Sequence, residues 1–313
     1  MNEFSFIDSI KPFQNLSCRV IKGIGDDAAV LELDAKRYQL LTTDMLVEGV
    51  HFLSNTPAKL VGHKALACNI SDIAAMGGIP TFAVVSIGIP TGTGHIEFSH
   101  RVKGQENSMC PDYVSGIYKG IFACAKRFGV SIVGGDTVKA DKLVINIALL
   151  GEVEKKNLVL RSGAKPGDHL FVSGPLGGTL KSGKHLNFTP RVKEARFLIE
   201  QFKPSAMMDI SDGLAGDLGH ILNASRVGAE IDEQRLPLNK GVSVDEALHG
   251  GEDFELLFSL SSPKSAKLVE YLRSHRCGHF VEIGRIIALP KKLYLCDGSG
   301  RRREIEPKGY THF

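Results

Sequence analysis

Gly23-Ile24-Gly25-Asp26-Asp27-Ala28-Ala29-Val30 presents two adjacent carboxylates between glycines and an apolar run. Neighbouring anions repel, so burying such a pair is costly unless a cation or strong donors share the site. Acids at the end of an apolar run return at Thr42-Thr43-Asp44, Ser71-Asp72, Gly134-Gly135-Asp136, Asp209-Ile210-Ser211-Asp212-Gly213 and Gly250-Gly251-Glu252-Asp253. Taken singly, an Asp beside Gly or Ser is ordinarily a turn former or a helix cap. Capping needs one acid, however, and Asp26-Asp27 supplies two. Six such stretches in this order read as one site assembled from across the fold.

The 313 residues suffice for two domains of ordinary size, each with a core of its own. Hydrophobic residues at 43% and charged residues at 23% fit a folded globular chain. A net charge of +3 is too small to imply binding to nucleic acid or to a membrane surface. No apolar run reaches the roughly 18 residues that a membrane helix needs. Six cysteines form no CxxC pair and no zinc-like spacing with histidine. Together with an opening segment that lacks a basic and an apolar region, this gives an expected reducing, cytoplasmic setting without a secretory signal. Arg301-Arg302-Arg303, followed by Glu304 and Glu306, reads as a solvated strand edge.

In chain order, residues 4–13 read as a short helix, with strands at Ala28–Leu33 and Tyr38–Thr43 and Asp44 at the exit of the second. Ala58–Met76 has helical spacing, with Leu60, Lys64, Ala67, Ile70 and Ala74 along one side and Gly77-Gly78 as its stop. A strand at Phe82–Ile89 follows. Thr91–Pro111 has no sustained periodicity and reads as a surface insertion. Helix Val114–Phe128 leads to a strand at Val130–Val133 that delivers Gly134-Gly135-Asp136, and then to strand Leu143–Val153. Lys165-Pro166-Gly167-Asp168 is turn chemistry, and we place a domain boundary just ahead of it, giving units 1–155 and 156–313. The second unit alternates strand (169–172, 206–210, 229–232, 254–260, 280–286, 292–296) with helix (190–202, 213–227, 263–275), Asp212 capping the middle helix. Both units are therefore α/β or α+β.

An oxygen-rich set, Asp27, Asp44, Asp72, Asp136, Asp209 and Asp212, suits magnesium, a hard cation. No GxxxxGK[ST] loop is present, so any ATP phosphates must be held by metal and scattered donors. Arg161 reads either as a phosphate-binding guanidinium or as a surface ion pair. Ser211 can donate to a phosphate, cap the next helix, or both. His51 is a ligand contact or a structural imidazole, and Glu252 a cation-recognising acid or part of a solvated turn.

Together these stretches resemble the thiamine-monophosphate kinase family, of the aminoimidazole-ribonucleotide-synthetase-like superfamily. The matching segments are GIGDDAAV (23–30), TTDMLVEGVHF (42–52), KALACNISDIAAMGGIP (64–80), IVGGDT (132–137), RSGAKPGD (161–168), DISDGLAGDLGHI (209–221), GGEDFELLF (250–258) and KGYTHF (308–313). The resemblance implies two α/β domains, a homodimer built through the N-terminal halves, and a magnesium-dependent transfer from ATP to thiamine phosphate. It implies Asp27, Thr42, Thr43, Asp44, Asp72, Asp136, Asp209 and Asp212 as ligands of several magnesium ions. Of these, Asp44, Asp136 and Asp212 are the expected catalytic acids. Gly135, Asp136, Arg161 and Ser211 are implied as nucleotide contacts, and His51 and Glu252 as contacts to thiamine phosphate. The chain departs from the family at the 91–111 insertion, in a short region between Gly174 and Pro190, and at Pro307, where the family tail often has an aromatic residue. Other readings are a purine-pathway or selenophosphate synthetase of the same superfamily, and a cation-binding scaffold without turnover.

Overall fold

The computed structural model describes residues 3–90, 111–275 and 280–311. Of the expected insertion at 91–111 all but Pro111, which opens a helix, lies outside them, as do Cys277 and the last two residues of the tail. In the first half, α1 (Glu3–Ile10) precedes β1 (Val20–Lys22), β2 (Ala29–Glu32), β3 (Arg37–Val47), α2 (Ala58–Ala75), β4 (Ile79–Pro90), α3 (Pro111–Phe128), β5 (Ser131–Ala140) and β6 (Val144–Glu154). The strands form one sheet in the order β1-β2-β3-β6-β4-β5, antiparallel except for β4 and β5, which lie parallel on either side of the crossover through α3.

Two strands outrun what local composition predicts. The spacing places Asp44 at a strand exit and Gly134-Gly135-Asp136 beyond a strand end, yet both lie inside strands. The cause is pairing. β3 is laddered to β6 from Arg37↔Glu154 to Val47↔Val144, and β5 to β4 from Phe82↔Ser131 to Pro90↔Ala140. A long partner holds polar and glycine residues extended where local preference would end the strand.

One face of this sheet is closed by α2 and α3 over Leu40, Leu46, Val85, Ile87, Ile145 and Ile147. The other face leaves Leu41, Met45, Phe82 and Val84 exposed, as are Val133 and Val138 on the edge strand. Helix α2 is expected to be amphipathic but is buried around nearly its whole circumference. It is wedged between the first sheet and the second half, so its outer side has no solvent to face.

The second half runs β7 (His169–Val172), α4 (Thr179–Ser182), α5 (Lys184–Asn187), α6 (Val192–Gln201), β8 (Ala206–Asp209), α7 (Leu214–Ser225), β9 (Gly228–Asp232), α8 (Val244–His249), β10 (Leu256–Leu260), α9 (Ser262–His275), β11 (Val281–Ile287), β12 (Leu293–Cys296) and β13 (Arg302–Glu304). Its sheet order is β13-β12-β9-β11-β7-β10-β8. The short region after Gly174 holds only the one-turn helices α4 and α5. Helix α8 escapes the periodicity reading, although Ser243 and Glu246 form a reciprocal capping box at its start. The basic run does form an edge strand, but Arg302 also pairs with the buried Glu230. One core packs Leu214, Leu218 and Ile221 of α7 on Leu170, Met208 and Leu257. Another joins Ala74 and Ala75 of α2 to Leu198, Met207 and Phe258. That shared apolar seam fixes the two halves against each other and sets the site between them.

Candidate active site

Helix α2 hands polar groups to both of its flanks. Asp72 turns toward β3, where Thr42 Oγ1 donates to its Oδ2 at 2.6 Å. Ser71, one residue earlier, turns toward β8 and donates to Asp209 Oδ2 at 2.5 Å. Asp27, from the bend ahead of β2, completes a convergence: carboxylate oxygens of Asp27, Asp72 and Asp209 all lie within 4.8 Å of one another. Burial is the main force on all three acids, and for Asp72 and Asp209 repulsion by neighbouring acids is the next. Burial raises Asp27 despite the adjacent Arg161; Asp72 lies well above its ordinary value and Asp209 is pushed to about 7.

Arg161 Nη2 donates to Asp27 Oδ1 at 2.6 Å and Nε to the same oxygen at 3.2 Å, while the Arg161 backbone N–H donates to Asp26 Oδ1 at 3.1 Å. The guanidinium is thus a buried partner of the opening acid pair, not a surface ion pair. Asp26 still rises to about 6 through burial and the charge of Asp27. Asp44, on the helix-facing side of β3, receives its frame from Asn69, whose Oδ1 accepts from the Asp44 N–H at 3.1 Å. Burial and the nearby Asp212 lift Asp44 to about 6, against a lowering influence from Lys64.

Asp212 does not cap the helix that follows it. Asp217, inside the first turn of α7, reaches back so that one oxygen accepts from the N–H groups of Ser211, Asp212 and Gly213 at 3.0, 3.0 and 3.1 Å. That single carboxylate holds the turn presenting Ser211 and Asp212. Asp212, Asp217 and His220 bring ligand atoms within 4.8 Å of one another. Burial drives the imidazole of His220 down to about 4, so it is neutral at physiological pH. The C-terminal tail closes over this turn. Tyr310 N–H donates to the Asp212 carbonyl at 2.9 Å, and His249 Nδ1 lies 3.0 Å from the Lys308 carbonyl. Its approach depends on Gly216 and Gly219, one turn apart on α7: a Cβ at either would come within 2.7 Å of Gly309 or Pro307. Ile24, Asp26, Arg161, Asp212, His220 and Pro307 line a cleft of about 760 Å³ between the halves.

His51 Nδ1 accepts from the Val47 N–H at 3.0 Å. The His51 carbonyl and both Glu252 oxygens converge on Lys64 Nζ, at 2.9, 2.6 and 2.6 Å. Glu252 is therefore not a simply solvated turn residue. Three expected residues are not brought to the aspartates. Thr43 points to the open face of the sheet, where its Oγ1 accepts from Asn146 at 2.9 Å. Gly135 and Asp136 lie on the edge strand, three strands from Asp44 or roughly 14 Å at the usual strand spacing. Asp136, opposite Ser86, is on the open face and its Oδ1 accepts only from the Thr137 N–H among the hydrogen bonds of the described residues.

Sequence reading missed Lys64, Ser71 and Asp217 as members of the site. Lys64 falls in the row of otherwise apolar positions Leu60, Ala67, Ile70 and Ala74 on α2, and a lysine there is the available signal. Asp217 stands inside the DISDGLAGD segment, but only the fold shows it turning back.

Residues 25–153 match the N-terminal domain of AIR synthase related proteins, and residues 165–294 match the C-terminal domain. Thiamine-monophosphate kinase of Bacillus subtilis (strain 168) is 35% identical over 342 residues, covering 100% of both chains. That of Rhodopirellula baltica is 36% identical over 330 residues, covering 99% of this chain and 97% of the relative. The chain belongs to the thiamine-monophosphate kinase family. A solved structure of AaThiL complexed with AMPPCP and TMP superposes with a TM-score of 0.80 at 32% identity, covering 100% of this chain and 97% of that one. Membership sets aside the purine-pathway, selenophosphate and non-enzymatic readings, and the mixed α/β fold with two sheets is the family's.

The donor set fits a hard divalent cation. The cluster offers carboxylate oxygens with no thiolate, and Asp27 Oδ2 is buried without a hydrogen-bond partner among the described residues. Of the three acids only Asp27 is hydrogen-bonded to Arg161 among the described residues, and that leaves negative charge for a bound ion to satisfy. Among the described residues no helix is long and apolar enough to cross a membrane.

Proposed function

We propose that this kinase transfers the γ-phosphate of ATP directly to thiamine phosphate, giving thiamine diphosphate and ADP, with magnesium held by the aspartates. The convergence of Asp27, Asp72 and Asp209 on one buried point carries this reading. The AMPPCP and TMP bound by a relative alike over its whole length support the choice of donor and acceptor. Asp27, Asp72 and Asp209, with Asp44, Asp212 and the Thr42 hydroxyl beside them, are the residues we assign to several magnesium ions. Magnesium bound there supplies the charge neutralisation that brings two polyanions together in line. Arg161, fixed by Asp26 and Asp27, orients the nucleotide, and Ser211, on the turn that Asp217 holds, contacts its phosphates. His51 and Glu252 orient the acceptor. An acceptor phosphate oxygen is already anionic near neutral pH, so the chain needs no strong base, and no Ser-His or Cys-His pair is required.

We assign the open face of the first sheet to a second copy of the chain. Leu41, Met45, Phe82 and Val84, with Val133 and Val138 on the edge, make an exposed apolar surface of the kind that pairs subunits. Gly135 and Asp136 belong to that same edge strand, so a homodimer gives them a route to the partner's nucleotide that they lack within one chain. The proposed units remain 1–155 and 156–313, the setting cytoplasmic. The test is thiamine diphosphate formation from thiamine phosphate, ATP and magnesium, with an EDTA control. Product that vanishes with EDTA is expected. Folded protein that binds ATP and makes no product would move the assignment to another acceptor, with Pro307 the first residue to exchange.

A further inference from the structure

We propose that Lys64 is a positioning residue for the acceptor: a buried ammonium that holds the Glu252 carboxylate and the His51 backbone in one frame. The inference rests on the assignment of those two residues to thiamine phosphate. Lys64 is 1% exposed, yet its Nζ spends all three protons, on Glu252 Oε1, Glu252 Oε2 and the His51 carbonyl. Lys64 belongs to the first half and Glu252 to the second, so the contact also crosses the seam between them.

Glu252 needs such a hold. Its φ of +65° lies in the left-handed region that a non-glycine residue rarely adopts, and Phe254 at +50° repeats the strain. The loop is fastened at other points too. Glu252 N–H donates to the Ser211 carbonyl at 2.6 Å, Asp253 accepts from the Gly177 N–H at 2.8 Å, and Phe254 stacks on Phe188 with ring centroids 3.9 Å apart. Those contacts fix the backbone, and Lys64 fixes the carboxylate. The Glu252 side chain keeps 23% of its surface open while the lysine behind it is covered. It thus offers an oriented acceptor to a ligand cation or N–H group from the open side. A buried ion pair is seldom more stable than well-packed apolar residues in its place, so stability alone gives little reason for this lysine. Orientation of a charged acceptor gives one.

The test compares wild type, Lys64→Met, Glu252→Gln and the double variant by steady-state kinetics in each substrate and by thermal melting. Methionine keeps the length of the stem without its charge. Lys64→Met is expected to raise KM for thiamine phosphate roughly tenfold, as loss of a charged hydrogen bond would, with KM for ATP little changed and Tm lowered. The double variant leaves no unpaired carboxylate, so it regains Tm, while its KM for thiamine phosphate is no higher than that of Glu252→Gln alone, because Lys64 acts through that carboxylate. If Lys64→Met does not fold, Lys64→Arg, which keeps the charge but not the compact ammonium that reaches three acceptors at once, carries the same comparison with Glu252 intact. An unchanged KM for thiamine phosphate in Lys64→Met, an equal rise for both substrates, or additive effects of the two substitutions on that KM would each make Lys64 merely structural and overturn the proposal. A wild type that turns over other acceptors but not thiamine phosphate overturns the acceptor assignment and this inference with it, a result distinct from the variant outcomes.

Discussion

Asp72 sits where its charge is disfavoured: burial and the charges of Asp44, Asp209 and Asp27 all raise its pKa, and the Thr42 hydroxyl works the other way. Asp72→Asn keeps the shape and the acceptor for Thr42 while removing one repelling charge. In metal-free protein we expect Tm to rise by about 1–2 °C, the shift that ~1 kcal/mol gives a chain of 313 residues. Turnover should fall by about 10²–10³, as when one electrostatic element of an active site is removed. A metal-free Tm that does not rise would show that these carboxylates are not under mutual strain. Asp44→Asn should likewise abolish nearly all turnover while leaving circular dichroism unchanged, and near-normal activity would remove Asp44 from the catalytic set. Asp136→Asn tests the edge strand in the same assay, since its side chain touches none of the other aspartates within the chain.

Helix α7 shows how an element trades its own stability for the site. Glycine in a helix interior costs up to about 1 kcal/mol against alanine. Gly216 and Gly219 accept that cost on one face because the tail from Pro307 to Gly309 lies directly on them. Gly219→Leu should therefore favour the helix yet lift the tail from the cleft. The expected result is KM raised for one or both substrates and faster proteolysis within residues 306–313, with Tm little altered. Unchanged KM and proteolysis would mean that the tail does not wall the cleft. Helix α2 makes the complementary choice. Its alanines and Cys68 allow close packing on every side, so Lys64, Ser71 and Asp72 are delivered in different directions from one rigid rod.

For the molecule as a whole, the raised aspartates set a dependence on pH. Asp26 and Asp44 at about 6 and Asp209 at about 7 compare with 3.8 for the ordinary group. Between those values the folded chain binds more protons than the unfolded one, so stability falls as pH rises. Metal-free protein should melt at lower temperature at pH 7.5 than at pH 5. Magnesium should restore most of the loss at the higher pH, because it binds the folded form selectively. A metal-free Tm that climbs over this range would contradict the burial of these acids. The open sheet face gives a test of assembly at the same scale. Met45→Lys combined with Phe82→Lys should yield a monomer by sedimentation, with turnover lost as Asp136 is cut off from the partner. A dimer that survives both charges would place the interface elsewhere.

By itself the sequence determined the mixed α/β class, the order of most strands and helices, and a set of candidate site residues that the fold gathers only in part. Those follow from local signals: periodicity, glycine stops, turn chemistry and ordered motifs, each written within a few neighbouring residues. Tertiary structure alone decided which of those residues meet. Asp27, Asp72 and Asp209 converge because three separate elements cross there, while Asp136 matches the same motif grammar and lies three strands away on the other face. Strand ends, too, depended on partners, since β3 and β5 extend as far as β6 and β4 have hydrogen bonds to offer. The partner of Arg161, the reversal of Asp217 and the clasp of Lys64 on Glu252 join residues whose contacts no local pattern encodes. The first and last of these are settled by electrostatics in a space that exists only once the two halves have packed, while the Asp217 reversal is settled within the second half.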